Sequence, residues 1–539
     1  MTDIREQEMQ GKINELTAQK ASLEAENKQL RKQVEWLRKA QFGRKSEIKK
    51  VVYPEEQMSL FNEAETEAKP SAPEPEISVK PHKRKKKVGH REELLAKLPH
   101  QKIVVEPETT VCPECGSTLS PVGEEFIRSE VVYIPARVEV KDFYRKSYEC
   151  RTCRKQGQPA ILKAAMPQPV IPHSIASPSV VAHVMMQKYG YALPLYRQES
   201  EWKRIGLAFS RANLANWIII ASKEWLAPVY GRMHEMLLEE RCLHADETPI
   251  QVHNEKGRKN TSKSYMWVYA STALNPTRKI RLFEYAPTRS AHCAETFLEG
   301  FSGYLLTDDY VGYRSIKTAG HCLCWAHARR KFVDAAPAYA KETDGLENTL
   351  VKAGIDQISQ LFDKEKEYKS LSPEERYERR LGEEKPILKA LFAWAENNVD
   401  KLLPKSPLTT AMNYLLSNRD GLTCYLKDGH CDISNNTAEN SIRPFTVGRK
   451  NWLFSNSPKG AKASAIVYSL IETAKANGLD PERYLKYLFE KLPNTANFKD
   501  TETLDQYLPG AIKTQEIRCS FFYEKFFYVA NATDDSGSI

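Results

Sequence analysis

Three acidic residues stand in contexts where a carboxylate is costly unless it has a chemical role. Asp246 lies in LHADET, Asp308 in YLLTDDYVGY and Glu439 in SNNTAENSIRPFTVGRKNWLF. Each follows an apolar, strand-like run or stands beside basic and aromatic residues. Three carboxylates that converge on Mg²⁺ are what phosphoryl transfer on DNA requires.

The segments around the first two acids predict an interrupted α/β domain. We expect strands at 241–244, 265–271, 279–285, 303–307 and 321–325, and a helix at 290–298. If the strands that lead to Asp246 and Asp308 are parallel neighbours, both carboxylates lie at one sheet edge, with the strands about 4.8 Å apart. At that spacing the two side chains can share a cation.

The third acid follows a change in composition. Residues 333–430 are charged, helical in pattern and poor in strand signals, which predicts a helical insertion. Ser434-Asn435-Asn436 is a typical cap and places Glu439 in the first turn of a helix. Pro444 is expected to limit that helix to about two turns. The basic and aromatic residues beyond it suit phosphate and base contact: Arg449, Lys450, Asn451 and Trp452.

Four cysteines carry the strongest metal signal. Cys112-Pro-Glu-Cys115 and Cys150-Arg-Thr-Cys153 are two C-x-x-C knuckles on either side of a strand-like segment from Phe126 to Val140. Each knuckle supplies two thiolates from one tight turn, and four thiolates satisfy a tetrahedral, structural Zn²⁺. A redox pair is the alternative for either knuckle taken alone. Two knuckles together favour zinc.

The first forty-five residues predict a parallel coiled coil. Leucines recur every seven residues, and Asn27 occupies an a position, a placement that fixes register in coiled-coil dimers. The leucines are Leu16, Leu23, Leu30 and Leu37. An amphipathic helix packed on its own chain is the alternative. A proline-containing acidic linker follows, and then the basic run 83–87, which is either a solvated tail or a phosphate contact.

The segment 172–225 is helical in pattern. Ser177-Pro178 and Ser210-Arg211 are good helix starts, and Gly206 lies in the turn region between them. Several basic and aromatic residues lie within it. A helix-turn-helix-like DNA-binding element and a plain helical connector both fit this spacing.

The composition of the chain argues against a secreted, disulfide-bonded protein and against a membrane protein. The chain has 539 residues and a formal net charge of +9, which weakly favours an anionic partner. Its eleven cysteines are an odd number, which argues against a disulfide framework. We find no signal sequence and no apolar run of membrane-spanning length. We therefore expect a cytosolic protein with no membrane partner; the family resemblance given below implies a bacterial, nucleoid-associated one.

These motifs together resemble those of the insertion sequence 66 family of transposases. The resemblance rests on FGRKSE (42–47), the two cysteine knuckles, SPSVVAHVMMQKYGYALPLYRQE (177–199), HADET, TDDYVGY, CWAHARRKF (324–332), NNTAENSIRPFTVGRKNWLF and TAKANGLDPERYL (473–485). It covers almost the whole chain, and the motifs are jointly very specific. One departure is Asp309, where the family usually has glycine.

The resemblance implies a ribonuclease-H-like catalytic fold with a DDE triad, which by motif match is Asp246, Asp308 and Glu439. It implies two Mg²⁺ or Mn²⁺ ions on this triad, cleavage of the transposon end by water, and attack of the freed 3′-hydroxyl on target DNA. Basic side chains would neutralise phosphates: Arg329, Arg330, Lys331, Arg443, Arg449 and Lys450. Two alternatives are a zinc-containing DNA-binding regulator and an inactive accessory protein of a mobile element.

The expected architecture is a multidomain α+β protein that dimerises through its coiled coil, with accessory proteins of the same element as candidate partners. The expected segments are a coiled coil (1–45), a linker with the basic run (46–95), a four-cysteine zinc module (96–165), a helical, helix-turn-helix-like region (166–235), a first catalytic part (236–332), a helical insertion (333–430), a second catalytic part (431–490) and a C-terminal segment (491–539).

Overall fold

A computed structural model describes residues 20, 100–107, 109–134, 137–157, 161–275, 279–340, 349–512 and 517. Apart from Lys20, the predicted coiled coil lies outside the described residues, and so does the basic run. The chain divides into two compact units. One contains His327–Ser370 and Glu378–Leu422, and the other contains Gln57–Ala326, Leu371–Tyr377 and Thr423–Ile539. Within the described ranges, no helix combines the length and apolar character needed to cross a membrane.

The first module is a small sheet that holds the cysteine knuckles. Its elements are β1 (His100–Val105), β2 (Ser120–Ile134), β3 (Arg137–Glu149), α1 (Arg151–Lys155) and β4 (Ile161–Lys163). β2 and β3 form an antiparallel hairpin, which confirms the predicted strands. Its register pairs Ser120 with Glu149. The knuckle before β2 therefore lies beside the knuckle after β3.

A group of helices follows, and both predicted helix starts are confirmed. The helices are α2 (Pro178–Met185), α3 (Leu195–Arg204), α4 (Arg211–Ala221) and α5 (Ala227–Leu238). Ser177 Oγ accepts from the Val180 N–H at 3.3 Å, and Ser210 Oγ accepts from the Asn213 N–H at 3.2 Å. Each hydroxyl satisfies a backbone donor that the first turn of a helix leaves without a partner. Gly206 lies in the turn between α3 and α4 with φ +94°, a conformation that favours glycine.

A mixed sheet forms the centre of the same unit. Its elements are β5 (Cys242–Val252), β6 (Lys263–Ser271), β7 (Arg281–Ala286), α6 (Ala291–Phe297), β8 (Tyr304–Thr307) and β9 (Gly320–Leu323). The strand order is β7–β6–β5–β8–β9. The first three strands are antiparallel neighbours, β8 is parallel to β5, and β9 is parallel to β8. The strands that lead to Asp246 and Asp308 are therefore parallel neighbours, which is the condition that the sequence sets for the two acids to share a sheet edge.

The strand predicted at 241–244 is too short. β5 continues to Val252 because Thr248, Ile250 and Val252 keep every second side chain buried while Pro249 is exposed. Asp246 therefore lies inside a long strand and not at its end.

The other unit is built from helices. The helices of this part of the chain are α7 (Trp325–Ala340), α8 (Leu350–Tyr368), α9 (Pro373–Arg379), α10 (Lys385–Val399), α11 (Pro407–Ser417) and α12 (Arg419–Thr423). The described residues of 333–430 contain no strand, as expected. Arg380 is fully buried and donates to both carboxylate oxygens of Glu365, at 2.6 and 2.8 Å. This two-bond geometry is what makes a buried charge tolerable.

The chain then returns to the unit that contains the sheet. The remaining elements are α13 (Asn436–Trp452), β10 (Phe454–Ser455), α14 (Pro458–Ala476), α15 (Pro481–Lys491) and α16 (Thr501–Asp505). α14 packs on the edge strand β7, where the Phe283 N–H donates to Ser469 Oγ at 2.7 Å. β10 adds to the end of β5.

The expectation that Pro444 ends its helix is wrong. α13 runs for 17 residues with Pro444 inside it. Proline cannot donate the hydrogen bond that a helix directs to the carbonyl four residues earlier, at a typical cost of ~3 kcal/mol. Burial of Ile442 and Phe445 beside it, and of Trp452 two turns later, keeps one apolar stripe continuous. Burying such side chains contributes ~1.5–3 kcal/mol each, which is enough to offset the loss.

Candidate active site

Asp246 and Asp308 lie on neighbouring strands. The β5–β8 register pairs Cys242 with Tyr304 and His244 with Leu306. Asp246 follows His244 by two residues, and Asp308 follows Leu306 by two residues, just beyond the end of β8. Both side chains are half-buried.

Short backbone contacts hold both carboxylates. Asp246 Oδ1 accepts from the Glu247 N–H at 2.8 Å, and Asp308 Oδ1 accepts from the Tyr310 N–H at 3.0 Å. In each case the second carboxylate oxygen is left for another ligand.

Glu439 lies in the first turn of α13 and is also half-buried. Its N–H donates to the Asn435 carbonyl at 3.1 Å, so Glu439 is fixed one helical turn after Asn435. α13 packs against β5, the strand that carries Asp246. The helix therefore brings an acid from a distant part of the sequence to the strand of the first acid.

The three acids interact electrostatically. Burial, together with the charges of Glu247, Asp308 and Glu439, raises the pKa of Asp246 to about 7. The hydrogen bond from the Glu247 N–H acts in the opposite direction. In this position the carboxyl group is favoured either in its protonated form or as a carboxylate with a cation bound to it. The structure thus brings the three predicted residues into one electrostatic cluster.

The second acid of the Asp308-Asp309 doublet has a partner of its own. Asp309 Oδ1 accepts from Arg314 Nη2 at 2.7 Å, near the surface. The charge of Asp309 is therefore compensated locally.

Glu247 is a further acid at this site, and sequence reasoning missed it. Its carboxylate accepts from the Tyr313 hydroxyl at 2.5 Å and from Arg289 Nε at 2.7 Å. Burial raises the pKa of Glu247, and both partners act against that rise. The Arg289 guanidinium lies 3.7 Å from the centre of the Tyr310 ring. Because Tyr310 and Tyr313 follow Asp308 directly, Glu247 ties the turn that carries Asp308 to β5. The available sequence signal was the second carboxylate in HADET.

The basic residues of α13 fall into two groups. Arg443 and Lys450 are exposed. Arg449 Nη1 donates to Thr248 Oγ1 at 3.0 Å and to the Pro249 carbonyl, and burial lowers the pKa of its guanidinium. Arg449 therefore holds α13 on β5.

The base contact expected for Trp452 does not agree with its position. Its side chain is 2% exposed and packs edge-on against Phe445, with ring centres 5.4 Å apart. A base stacks only on an exposed ring face, so this tryptophan belongs to the core.

The three basic residues of CWAHARRKF lie on α7, in the helical unit. Arg329 Nε donates to Ser359 Oγ at 3.3 Å, and Lys331 Nζ lies 4.5 Å from the centre of the Tyr414 ring. Arg329 and Lys331 are partly buried by these contacts, whereas Arg330 is exposed.

The four knuckle cysteines form a compact cluster. Their sulfur atoms all lie within 4.8 Å of one another, with Cys112 to Cys153 at 3.9 Å and Cys115 to Cys150 at 3.2 Å. A tetrahedral zinc with bonds of about 2.3 Å sets its sulfur ligands about 3.8 Å apart. Hydrogen bonds with Ser117 first, and with Cys150 and Cys153, lower the pKa of the Cys115 thiol to about 6, which favours the thiolate that a metal binds.

Comparisons with known families agree with these motifs. The model of the "Transposase IS66 family" matches residues 173–463, more than half of the chain. The chain belongs to the IS66 transposase family. Three further models match this transposase: "zinc-finger binding domain of transposase IS66" at 109–154, "IS66 C-terminal element" at 469–509 and "Transposase C of IS166 homeodomain" at 29–103.

Similar proteins extend over most of the transposase. The protein y4qI of Sinorhizobium fredii (strain NBRC 101917 / NGR234) is 30% identical over 503 residues, which cover 89% of this chain and 88% of the relative. The protein y4jD of the same strain is 29% identical over 436 residues, 78% of this chain and 81% of the relative. Both are described as uncharacterized, so their names add no activity. No solved structure matches the chain.

The zinc-finger match and the sulfur cluster support the same conclusion. The matched residues 109–154 contain all four cysteines, and their sulfur spacing fits one tetrahedral ion. Four thiolates leave no open coordination position, so the zinc of this transposase is structural.

Proposed function

We propose that this transposase cuts DNA at the terminal inverted repeats of its insertion sequence and joins the freed 3′-hydroxyl to target DNA. Asp246, Asp308 and Glu439 are the proposed catalytic triad. The observation that carries the proposal is the placement of these acids: Asp246 lies on β5, Asp308 follows the parallel neighbour β8, and Glu439 lies on the helix that packs against β5. Membership in a transposase family supplies the class of reaction.

The proposed catalytic fold is ribonuclease-H-like. Its support is the strand order, with the antiparallel strands β5 to β7 extended by β8 and β9 in parallel to β5. We divide this domain into 236–332 and 431–490, interrupted by the helical insertion 333–430. This division makes β5, β8 and α13 parts of one domain and gives each of them one acid.

The donor set fits a hard divalent cation. Burial is the largest cause of the raised pKa of Asp246, and repulsion by the charges of Glu247, Asp308 and Glu439 adds to it. Mg²⁺ and Mn²⁺ prefer oxygen ligands, and two ions on the triad would remove the repulsion. When bound, they supply Lewis-acid activation of the attacking hydroxyl and stabilisation of the leaving oxygen. Asp246, Asp308 and Glu439 would hold them, and Glu247 fixes the turn that carries Asp308.

Exposed basic side chains are the proposed phosphate contacts. Arg443 and Lys450 lie on the helix that carries Glu439, and Arg330 lies on α7. Cationic side chains on such surfaces attract the DNA backbone without reading its sequence. Arg449, Arg329 and Lys331 are partly buried, and for them a structural role is favoured.

The remaining segments are proposed to bind DNA and to assemble the transposase. The zinc module (96–165) and the helical region (166–235) form the proposed recognition part, and residues 1–45 the proposed dimerisation coiled coil. Replacing Leu23 and Leu30 by Ser in the full chain should convert a sedimenting dimer into a monomer, because both leucines lie on the apolar seam. A parent chain that sediments as a monomer would overturn the coiled-coil dimer.

A cleavage assay on the DNA that flanks the gene tests the activity. With Mg²⁺ the parent should nick the terminal repeats, whereas Asp246→Asn, Asp308→Asn and Glu439→Gln should bind the same DNA without cutting it. Asp309→Gly is the matched control and should cut, because Asp309 is paired with Arg314. Nicking by Asp246→Asn at the parent rate would remove the triad. A parent that binds but never cuts would instead favour a DNA-binding regulator.

A further inference from the structure

Two polar side chains of the segment before α13, those of Asp432 and Asn435, contact His244 on β5. Asn435 is 1% exposed and His244, on β5, is fully buried. Asp432 lies between them and the end of β6. His244 belongs to HADET, which contains Asp246, whereas Asp432 and Asn435 lie in CDISNN (431–436), just before Glu439.

A continuous set of hydrogen bonds joins these residues. Asn435 Nδ2 donates to the Ala245 carbonyl at 2.9 Å, and Asn435 Oδ1 lies 3.2 Å from His244 Nδ1. His244 Nε2 lies 2.6 Å from Asp432 Oδ2, which also accepts from Thr272 Oγ1 at 2.7 Å. All polar atoms of the Asn435 side chain are therefore used on β5.

This set of bonds connects two of the proposed catalytic acids directly. Ala245, which accepts from the Asn435 side chain, is the residue before Asp246. The Asn435 carbonyl accepts from the N–H of Glu439 at 3.1 Å. From Asp246 to Glu439 the path thus crosses only one side chain, that of Asn435. Any shift of Asn435 moves the first turn of α13 relative to β5.

Asn435 also forgoes its usual role. It occupies the N-cap position of α13, where an asparagine side chain normally accepts from the backbone of its own helix. No such bond is present here. The side chain binds the strand of Asp246 and does not cap its helix, which is expected of a residue that sets the position of the helix.

We propose that Asn435, held by His244 and Asp432, is a positioning residue that sets Glu439 against Asp246 and Asp308. This inference rests on the proposed function. A misplacement of about 1 Å at a catalytic group can reduce a rate on the order of 100-fold. Loss of Asn435 should therefore slow cleavage strongly while DNA affinity stays unchanged, because Asn435 is buried.

The decisive variant is Asn435→Ser. Serine is a good N-cap, so α13 and the fold should be retained, but its short side chain does not reach Ala245. We expect a cleavage rate 10- to 100-fold below the parent, an unchanged dissociation constant for the terminal repeat, and weaker Mn²⁺ binding by electron paramagnetic resonance without DNA. The matched control is Asn477→Ala. Asn477, like Asn435, lies at a helix end and donates from its side chain to the backbone, here to the carbonyls of Lys279 and Thr473 at the far end of α14.

A double variant tests whether the residues act together. Asp432→Asn keeps the size of the side chain and removes its charge next to His244. If both act through one set of bonds, Asn435→Ser with Asp432→Asn should be no slower than the slower single variant.

Four outcomes would overturn the inference. The first is parent-like cleavage and Mn²⁺ binding by Asn435→Ser, and the second is a loss of cleavage rate in Asn477→Ala equal to that in Asn435→Ser. The third is a double variant whose loss of rate is the product of the two single losses, and the fourth is cleavage by Asp246→Asn. The last outcome would also remove the proposed function. The first three, with Asp246→Asn inactive, would leave that function standing.

Discussion

Replacing Asp246 by Asn should make the metal-free protein more stable at neutral pH while it abolishes strand cleavage. An ionised Asp246 is disfavoured in the fold, because burial and three neighbouring acids raise its pKa to about 7 from an ordinary 3.8. Asparagine keeps the oxygen that accepts from the Glu247 N–H and carries no charge. The substitution therefore removes the penalty and retains the local bond.

The size of the effect follows from the two pKa values. The unfolded chain loses this proton near pH 3.8 and the folded protein near pH 7. Below pH 3.8 the group costs nothing. Between these values the cost of ionisation grows with pH, and above about pH 7 it is constant at about 4 kcal/mol. For a unit of this size each kcal/mol corresponds to about 2 °C in Tm, so we expect a rise of about 8 °C at pH 8.

Thermal unfolding at pH 5 and pH 8, with chelator and with Mg²⁺, measures this. The variant should exceed the parent clearly at pH 8 and much less at pH 5. Mg²⁺ should stabilise the parent and not the variant, because a ligand stabilises only the state that binds it. The control is Asp309→Asn, which loses an ion pair with Arg314 and should gain no stability. An equal or lower Tm of Asp246→Asn at pH 8, or a gain that is the same at pH 5, would refute the reasoning.

Three further predictions concern other parts of the chain. By atomic absorption, the purified parent should contain about one zinc per chain and Cys153→Ser should contain none. Cys293→Ser, outside the cluster, should keep the zinc, and zinc retained in Cys153→Ser would contradict the site. Lys188→Met should raise Tm more at pH 6 than at pH 10, because burial lowers the pKa of Lys188 to about 7 and its charged form is the costly one; a pH-independent change would contradict this. Pro444→Ala should raise Tm by a few degrees, because it restores a helical N–H donor; a lower Tm would mean that proline shapes the helix.

Much of the site was predictable because strand patterns are local. The apolar run before Asp308 and the one before Asp246 indicate strands, whereas the sequence left open whether these strands are parallel neighbours. The structure adds the register, which pairs Cys242 with Tyr304. The cysteine knuckles were equally readable, since two ligands in one turn form a signal of four residues.

What failed depends on contacts between distant residues. Pro444 signals the end of a helix by its own chemistry, and only the burial of Phe445 and Trp452 against the sheet reverses that. The same burial turns Trp452 from a surface aromatic into a core residue. The sequence predicts Arg449 to be a phosphate contact, but β5 extends past Thr248, and the Arg449 guanidinium donates to the Thr248 hydroxyl. Tertiary packing overrides local preference in each case.

Three departures from local rules occur on the two elements that carry Asp246 and Glu439. The half-buried carboxylate of Asp246 lies within β5, the N-cap side chain of α13 makes no bond to its own helix, and Pro444 lies inside α13. Sequences tend to break local rules where function requires a particular geometry, and stability is lost there. α2 and α4, by contrast, begin with conventional serine caps. The expected gains in stability of Asp246→Asn and Pro444→Ala therefore test one idea from two sides: the first turn of α13 and the middle of β5 are held in an arrangement that favours metal binding over folding.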